Sequence, residues 1–283
     1  MVERRRTRGV DFEWDIVYQA LKTSGVSDDK LTQRNPKLVE CSTHTDLDNA
    51  KKAIDNVPKS LWGYAKHSDE TDVIGQAVVG IPEPKTDIIF GENNEYRVSV
   101  KMDGSIQLAS GEGTSSAKML NAAMSEYLQQ FNGTKDHTME DIIQRIEGMP
   151  TKSIDLKNFE KAKTKRPKLF ETMLDEQGNL YPFYDWKKWE KENKKKINDY
   201  LAIYTANNPE FLYILIDEAL TGKRTFGEKN LATANYIITP TEFVKIDSEY
   251  VKKVAKGTKI TVRAKSRKGI TSAALRFDYT NTP

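Results

Sequence analysis

The sequence contains little cysteine and no long apolar run. Its 283 residues include one cysteine, Cys41, which excludes an intrachain disulfide and a multi-cysteine zinc site. No apolar run approaches the roughly 18 residues of a membrane-spanning helix, so we expect no membrane partner. The basic segment at residues 1–9 lacks the apolar stretch of a secretory signal peptide, and a reducing cytosol is the expected compartment.

Histidine is also scarce. His44, His67 and His137 are scattered, and no two of them have the spacing of zinc ligands. We interpret all three as structural or surface residues and assign no role to the proximity of Cys41 and His44. The sequence also lacks a nucleophile-elbow motif, so a serine triad is not indicated.

The net charge of +3 is too small to give the whole protein a basic field. Lysine and arginine are nevertheless clustered, and nucleic-acid binding needs local positive stripes rather than a high overall charge. The alternative is a set of solvated helix surfaces. The clusters occupy residues 4–8, 161–168, 187–196 and 252–268.

The most informative pattern lies between residues 84 and 112. Residues 86–90 (TDIIF) are rich in β-branched and aromatic side chains, and residues 96–101 (YRVSVK) alternate as a strand does. The intervening GENNE at 91–95 is composed of turn residues. The pattern therefore predicts a β-hairpin.

Two charged residues lie at the open end of this hairpin. If the hairpin is centred near Asn94, Asp87 and Lys101 are cross-strand partners, with Cβ atoms about 4.5–5.5 Å apart. The two-residue period of a strand places Ser99 on the same face as Lys101. A carboxylate beside an ammonium group can hold a divalent metal and orient a water molecule on a phosphate.

These segments resemble the motifs of the PD-(D/E)XK superfamily, the restriction-endonuclease-like nucleases. The first half-motif reads Pro84-Lys85-Thr86-Asp87 and the second reads Ser99-Val100-Lys101, with Ser99 where the family has Glu or Asp. The run VSVKMDGSIQLASGEG at 98–113 also resembles phage-encoded members of the superfamily. The resemblance covers residues 70–130 best.

The resemblance implies an α/β fold with a restriction-endonuclease-like αβββαβ core, in which helices flank a mixed sheet. We expect a single domain over residues 1–283, with a helical insertion or extension and a C-terminal β-hairpin. Its core spans about 11–135 and 230–283, and the insertion spans about 136–229. The predicted elements of the first core segment are a helix at 11–23 capped by Asp11, a short strand at 38–43, a core strand within 69–81, the hairpin, and a helix at 115–131.

The resemblance also implies site residues. Asp87 is the expected metal ligand, Lys101 the residue that serves the attacking water, and the Val100 carbonyl a further ligand. Gln107 matches a glutamine of the phage-encoded members and is a candidate for binding metal-bound water or phosphate. The cofactor implied is Mg²⁺, with Mn²⁺ as a substitute.

Because Ser99 is not acidic, a second acidic metal ligand would have to come from another part of the chain. We favour Glu13, because a helix packed on the sheet can deliver a carboxylate to the strand ends. The alternatives are Glu40, Glu70 and Glu112.

The function implied is metal-dependent hydrolysis of DNA by a phage-encoded nuclease, located in the host cytoplasm or the virion. The alternative is a phage virion or DNA-packaging protein that keeps the nuclease fold without catalysis, with other phage structural proteins as partners. The residues predicted to contact nucleic acid are Lys223, Arg224, Arg263, Lys265, Arg267 and Lys268.

Overall fold

A computed structural model describes most of the chain and defines a mixed α/β architecture. The described residues are 8–41, 44, 47–70, 84–101, 107–109, 113–131, 136–149, 153–154, 159–160, 163–164, 171, 173–175, 177–267 and 270–279.

The described secondary structure alternates between helical blocks and short strands. The helices are α1 (Arg8–Thr23), α2 (Asp28–Arg34), α3 (Pro36–Cys41), α4 (Leu47–Asp55), α5 (Gly113–Phe131), α6 (His137–Glu147), α7 (Trp186–Trp189), α8 (Lys195–Asn207), α9 (Pro209–Thr221), α10 (Lys223–Phe226) and α11 (Ser248–Lys256). The strands are β1 (Lys66–His67), β2 (Ile88–Phe90), β3 (Tyr96–Val100), β4 (Gln107–Ala109), β5 (Ser153–Ile154), β6 (Tyr236–Ile238), β7 (Phe243–Lys245), β8 (Thr258–Arg267) and β9 (Ile270–Tyr279). Short 3₁₀ helices span Lys59–Tyr64 and Ser68–Glu70, and a π-helical turn at Glu190–Lys194 joins α7 to α8.

A mixed five-stranded sheet with the order β1-β2-β3-β6-β7 carries the candidate site. The strands β1, β2 and β3 are antiparallel neighbours, whereas β6 runs parallel to β3 and β7 returns antiparallel to β6. The parallel pair joins distant parts of the sequence, with Ser99 opposite Ile237. The strand β3, whose C-terminal end carries the candidate site, is therefore paired with another strand on each side.

Alternating side chains of this sheet enter two different cores. Ile88, Phe90 and Ile238 pack with α1, α3 and α4, whereas Ile237 packs with the helices of the second half of the chain. The period of two along a strand accounts for this division. The sheet thus separates the N-terminal helical layer from a larger core built on α5, α6, α9 and α11.

A second sheet is organised around the long C-terminal hairpin of β8 and β9. The strand β9 pairs with β8 over its whole length and with β4 and β5 near its two ends. Phe277 and Leu275 are buried and pack into the larger core with α5. Within the described residues, no helix combines the length and the apolar character needed to cross a bilayer.

The structure confirms several sequence predictions. The helices predicted at 11–23 and 115–131 correspond to α1 and α5, and the predicted C-terminal hairpin is β8 and β9. Asp136 caps α6 by accepting hydrogen bonds from the Thr138 and Met139 amides. The mixed sheet flanked by helices is the α/β class predicted.

Two other predictions are wrong, and a third falls largely on residues that the structure does not describe. Residues 38–41 of the short strand predicted at 38–43 belong to α3, which buries Leu38 and Cys41 at the three-residue spacing of a helix. Asp11 lies inside α1 rather than at its N-cap, because the helix begins at Arg8. The core strand predicted within 69–81 falls almost entirely outside the described residues, and the described neighbour of β2 is the two-residue strand β1.

Gly222 ends α9 in the left-handed conformation, at φ 68°. A Cβ at this position would lie 2.9 Å from both Lys85 Cγ and Phe226 Cδ2. We therefore expect Gly222→Ala to lower the free energy of unfolding by about 2 kcal/mol, of which roughly 1–2 kcal/mol is the conformational cost. Urea denaturation measures the loss.

Gly178→Ala is the matched control for that substitution. Gly178 also has positive φ, at 82°, but a Cβ there would meet no described atom within 4 Å. The loss at Gly178 should therefore be smaller than the loss at Gly222. Equal losses would show that the contacts with Lys85 and Phe226 add nothing.

Candidate active site

The candidate site lies where β2 begins and β3 ends. Ile88 pairs with Val98 and Phe90 pairs with Tyr96, so the loop spans residues 91–95 as predicted. The same register, continued by one residue, places Asp87 opposite Ser99 rather than opposite Lys101. The predicted pairing of Asp87 with Lys101 is therefore wrong by two residues.

The turn geometry explains this difference. Gly91 and Asn94 both have positive φ, at 90° and 62°. A five-residue loop between Phe90 and Tyr96 is centred on Asn93, whereas the prediction centred it near Asn94. Loop length sets the register of a hairpin, and a change of one residue in its centre moves the partner by two.

Ser99 links the two charged residues of the hairpin. Lys101 Nζ donates a hydrogen bond to Ser99 Oγ at 2.9 Å, and Ser99 Oγ donates to Asp87 Oδ2 at 3.3 Å. The Val100 amide donates to the same carboxylate oxygen at 2.7 Å. Asp87, Ser99 and Lys101 are therefore held in one hydrogen-bonded group despite the shift in register.

Glu13 brings a second carboxylate to this group from the middle of α1. Burial raises the pKa of Glu13, and the negative charge of Asp87 raises it further. The hydrogen bond and charge of His67 and the charge of Lys101 act in the opposite direction. These interactions show that Glu13, Asp87 and Lys101, which the sequence analysis singled out separately, share one electrostatic environment.

His67 orients the Glu13 carboxylate, a role that the sequence analysis did not identify. The Asp69 amide donates to His67 Nδ1 at 3.0 Å, which leaves Nε2 to carry the proton toward Glu13 Oε2 at 3.2 Å. The imidazole also stacks on the Trp14 ring with centroids 4.1 Å apart. The hydrogen bond from the Asp69 amide determines the tautomer of His67. No sequence motif predicts this contact.

The structure shows other contacts for one of the alternative acids, Glu70. Glu70 accepts hydrogen bonds from Arg34 at 2.8 and 2.9 Å and from the His67 amide at 2.8 Å, so both of its oxygens are engaged. Glu40 is exposed on α3. Glu112 lies outside the described residues. Glu13 is the alternative whose pKa the charge of Asp87 raises.

Gln107 belongs to a different sheet from Asp87 and Lys101. It begins β4, and its backbone pairs opposite Asp278 of β9. Its assignment to the catalytic group stays a prediction.

The predicted nucleic-acid contacts are of several kinds. Lys223 forms an ion pair with Asp217, and Arg263 is half-buried on β8 with its Nε lacking a hydrogen-bond partner in the described part of the chain. Lys265 and Arg267 lie farther along β8, and Lys268 falls outside the described residues. Contact of these residues with nucleic acid stays a prediction.

Arg224 is an internal ion-pair partner rather than an exposed cation. Its side chain is 11% exposed and donates to Glu126 at 2.9 Å and to Asp217 at 2.8 Å. Glu218, which is buried, accepts hydrogen bonds from the Arg224 and Thr225 amides and so caps the first turn of α10. The segment after α9 is therefore held by internal contacts.

We expect Arg224→Met to lower the free energy of unfolding by about 3 kcal/mol, because it removes the guanidinium from two poorly solvated carboxylates and leaves Asp217 paired with Lys223 alone. Arg224→Lys, which keeps the charge but loses the forked donor geometry, should lose less. Urea denaturation of both variants tests this. A loss below about 1 kcal/mol for Arg224→Met, the range of exposed pairs, would contradict it.

Comparison of the chain with protein-family models, with curated proteins and with solved structures gives no match.

Proposed function

We propose that the protein hydrolyses phosphodiester bonds of DNA in a metal-dependent reaction, at a site formed by Glu13, Asp87 and Lys101. The observation that carries this proposal is the position of Glu13. The half-motifs around Asp87 and Lys101 lack the usual second acid, and a carboxylate from α1 lies close enough to Asp87 for the two charges to interact. The site therefore contains two carboxylates and a lysine.

The donor set fits Mg²⁺. Asp87 and Glu13 offer carboxylate oxygens and Val100 offers a backbone carbonyl, all of which suit a hard divalent cation. When bound, Mg²⁺ neutralises charge on the phosphate and favours hydroxide formation from a bound water. The two carboxylates also repel each other in a partly buried site, and a bound cation would relieve that repulsion.

The other groups of the site position these donors. The Val100 amide and the Ser99 hydroxyl fix one Asp87 oxygen, and His67 fixes one Glu13 oxygen. Hydrogen bonds of this kind orient ligands and are part of how a protein builds a metal site. Lys101, held by Ser99, presents an ammonium group that can orient a water molecule or stabilise charge on the phosphate.

The arrangement of the elements supports the finer assignment to a restriction-endonuclease-like core. Along the chain, α1 precedes β1, β2 and β3, α5 comes after them, and β6 lies parallel to β3, with α2, α3 and α4 between α1 and β1 and with β4 between β3 and α5. Apart from these additional elements, the order agrees with the αβββαβ core that the motif resemblance implies. Fold alone does not establish a reaction, so the proposal depends on the site rather than on the topology.

DNA is the proposed substrate because the chain contains local clusters of lysine and arginine. Clusters of this kind neutralise the phosphates of a nucleic-acid backbone. The exposed lysines of the helical segment formed by α7, the π-helical turn and α8 provide such a cluster, and the sequence of β8 contains a second group of lysines and arginines. The exposed members of the first cluster are Lys187, Lys188, Lys191, Lys195 and Lys196. Both clusters are proposed to contact the DNA backbone in the host cytoplasm or in a virion.

A second candidate function rests on Ser99. This residue occupies the position of the family acid and hydrogen-bonds with both Asp87 and Lys101. This network gives the Asp87 carboxylate and the Lys101 ammonium group a hydrogen-bond partner without a bound metal ion. It favours a phage virion or DNA-packaging protein that retains the fold and binds DNA or other phage structural proteins without cutting.

A cleavage assay separates the two functions. The full-length protein is incubated with supercoiled plasmid and with single-stranded DNA in the presence of Mg²⁺ or Mn²⁺, with EDTA as the control. We expect cleavage that requires the metal. A folded protein that binds DNA but cuts neither substrate in either metal would overturn the nuclease proposal and leave the structural role.

A further inference from the structure

A second group of potential metal ligands lies on the opposite face of α1 from Glu13. Asp15 follows Glu13 by two positions, which is about 200° around the helix axis. It contacts His44, and Cys41 at the end of α3 completes the group. One potential ligand atom from each residue lies within 4.8 Å of the other two.

The three side chains are buried and already interact. His44 Nδ1 hydrogen-bonds with Asp15 Oδ1, and the two side chains are each 8% exposed. Cys41 is 1% exposed, and its thiol donates to the Lys37 carbonyl at 3.2 Å. Burial raises the pKa of Asp15, against the opposing effects of His44 and Cys41. The group is thus compact, polar and shielded from solvent.

The arrangement differs from a nucleophilic cysteine site. In such a site the histidine lies between the acid and the thiol, so that it can take the thiol proton. Here Asp15 hydrogen-bonds with His44, and the Cys41 thiol donates to a backbone carbonyl. The burial of Cys41 also denies access to a substrate.

We propose that Asp15, Cys41 and His44 form a zinc site that joins α1, α3 and the segment before α4. Thiolate, imidazole and carboxylate together suit Zn²⁺, whereas Mg²⁺ prefers oxygen ligands. Ligand atoms about 2.0–2.3 Å from a tetrahedral Zn²⁺ lie roughly 3.4 Å from one another. A group already within 4.8 Å therefore needs only small side-chain movements to bind the ion.

Asp11 adds negative charge beside this group. It precedes Asp15 by four residues, the spacing at which a helix presents two metal ligands on one face. Its Oδ2 is buried and has no hydrogen-bond partner among the described residues. The Asp11 charge also acts on Asp15. A buried carboxylate oxygen without a partner beside three ligands is the local environment that favours a cation.

Binding requires that Cys41 become a thiolate. The thiol proton is released to solvent, and the Cys41 sulfur exchanges its hydrogen bond to Lys37 for a bond to the metal. The ion would link residues that are 29 positions apart in sequence, Asp15 and His44. This site is independent of the proposed nuclease activity, because its ligands do not include Asp87, Lys101 or Glu13.

The test uses Co²⁺ as a spectroscopic replacement for Zn²⁺ in the reduced, metal-free, full-length protein. Because Cys41 is the single cysteine, a thiolate-to-Co²⁺ charge-transfer band can come from Cys41 alone. We expect such a band to saturate at one equivalent and to disappear when Zn²⁺ is added. A folded wild-type protein that gives no such band would overturn the proposal.

Variants assign the other ligands. Cys41→Ser should abolish the band, and Asp15→Asn and His44→Gln should each weaken Co²⁺ binding by at least about 10-fold, since even outer-shell changes weaken metal sites by about 10–100-fold. His137→Gln, which alters an exposed histidine, and Asp87→Asn should leave the band unchanged. Full retention of affinity in Asp15→Asn and His44→Gln would also overturn the proposal.

Discussion

Asp87→Asn and Lys101→Met should each abolish metal-dependent DNA cleavage while leaving the protein folded. The expected loss is at least about 100-fold, because each substitution removes a group that acts directly on the metal or the water. Asparagine keeps an oxygen that can accept from the Val100 amide, so the hairpin end should survive the loss of charge. Nicking of supercoiled plasmid measures the rate.

Lys245→Ala is the matched control for Lys101→Met. Lys245 is an exposed lysine on β7 of the same sheet, away from the hairpin end. The Lys245→Ala variant should cut DNA at the wild-type rate. Cleavage that persists in Asp87→Asn would place the metal elsewhere, and a loss in Lys245→Ala equal to that in Lys101→Met would indicate a general role of lysine in DNA binding.

A different result is expected for DNA affinity. Neutralised phosphates, rather than the catalytic group, determine most of the affinity of a non-specific complex. Binding of Asp87→Asn to DNA in EDTA should therefore equal that of the wild type. This comparison separates a catalytic defect from a binding defect and identifies the structural alternative if binding exists without cutting.

Much of the fold follows from local sequence patterns. The loop at 91–95 and the helices predicted at 11–23 and 115–131 depend on residues within a few positions of each other, and the structure confirms them. The segment at 38–43 was predicted wrongly because an apolar run of this length suits a strand or a helix. Packing of Leu38 and Cys41 into the N-terminal core decides in favour of the helix.

Pairing and site geometry depend on longer-range contacts. The register of the hairpin is set by backbone angles at Gly91 and Asn94, which composition alone does not specify. The strand β7 spans three residues and follows β6 by a short connection, so it gives no periodic signal. The parallel pairing of β3 with β6 joins residues more than 130 positions apart.

The site shows the same division between local and long-range information. Asp87 and Lys101 are recognisable because they belong to short motifs. Glu13 could be proposed only as one acid among four, and its interaction with Asp87 required the packing of α1 on the sheet. His67 and the Asp15–Cys41–His44 group carry no motif, since their partners come from separate elements.

Glu13→Gln should abolish metal binding at the candidate site and leave the protein at least as stable as the wild type. Glutamine keeps an oxygen that can accept from His67, but it removes the charge that a cation requires. The stability expectation follows from burial, which raises the pKa of Glu13 and so disfavours its ionised form in the folded state.

The raised pKa of Glu13 makes the stability of the wild-type protein depend on pH. An unfolded glutamate titrates near pH ~4.3, and the folded pKa of Glu13 is higher. The unfolded state therefore loses its proton first, and wild-type stability falls as the pH rises from the unfolded pKa through the folded pKa. The Glu13→Gln variant lacks this contribution. Its advantage should be greater at neutral pH than near pH ~4.

Thermal denaturation with and without Mg²⁺ tests both parts of the prediction. A ligand that binds only the folded state raises the melting temperature, so Mg²⁺ should stabilise the wild type and have little effect on Glu13→Gln. Glu92→Gln, a change at an exposed residue of the hairpin loop, should behave as the wild type does.

A Glu13→Gln protein that responds fully to Mg²⁺ would show that Glu13 is not the missing acid. A strongly destabilised one would show that its role is structural. A stable variant without a metal response would instead identify Glu13 as a carboxylate that burial makes costly to ionise and that metal binding makes useful.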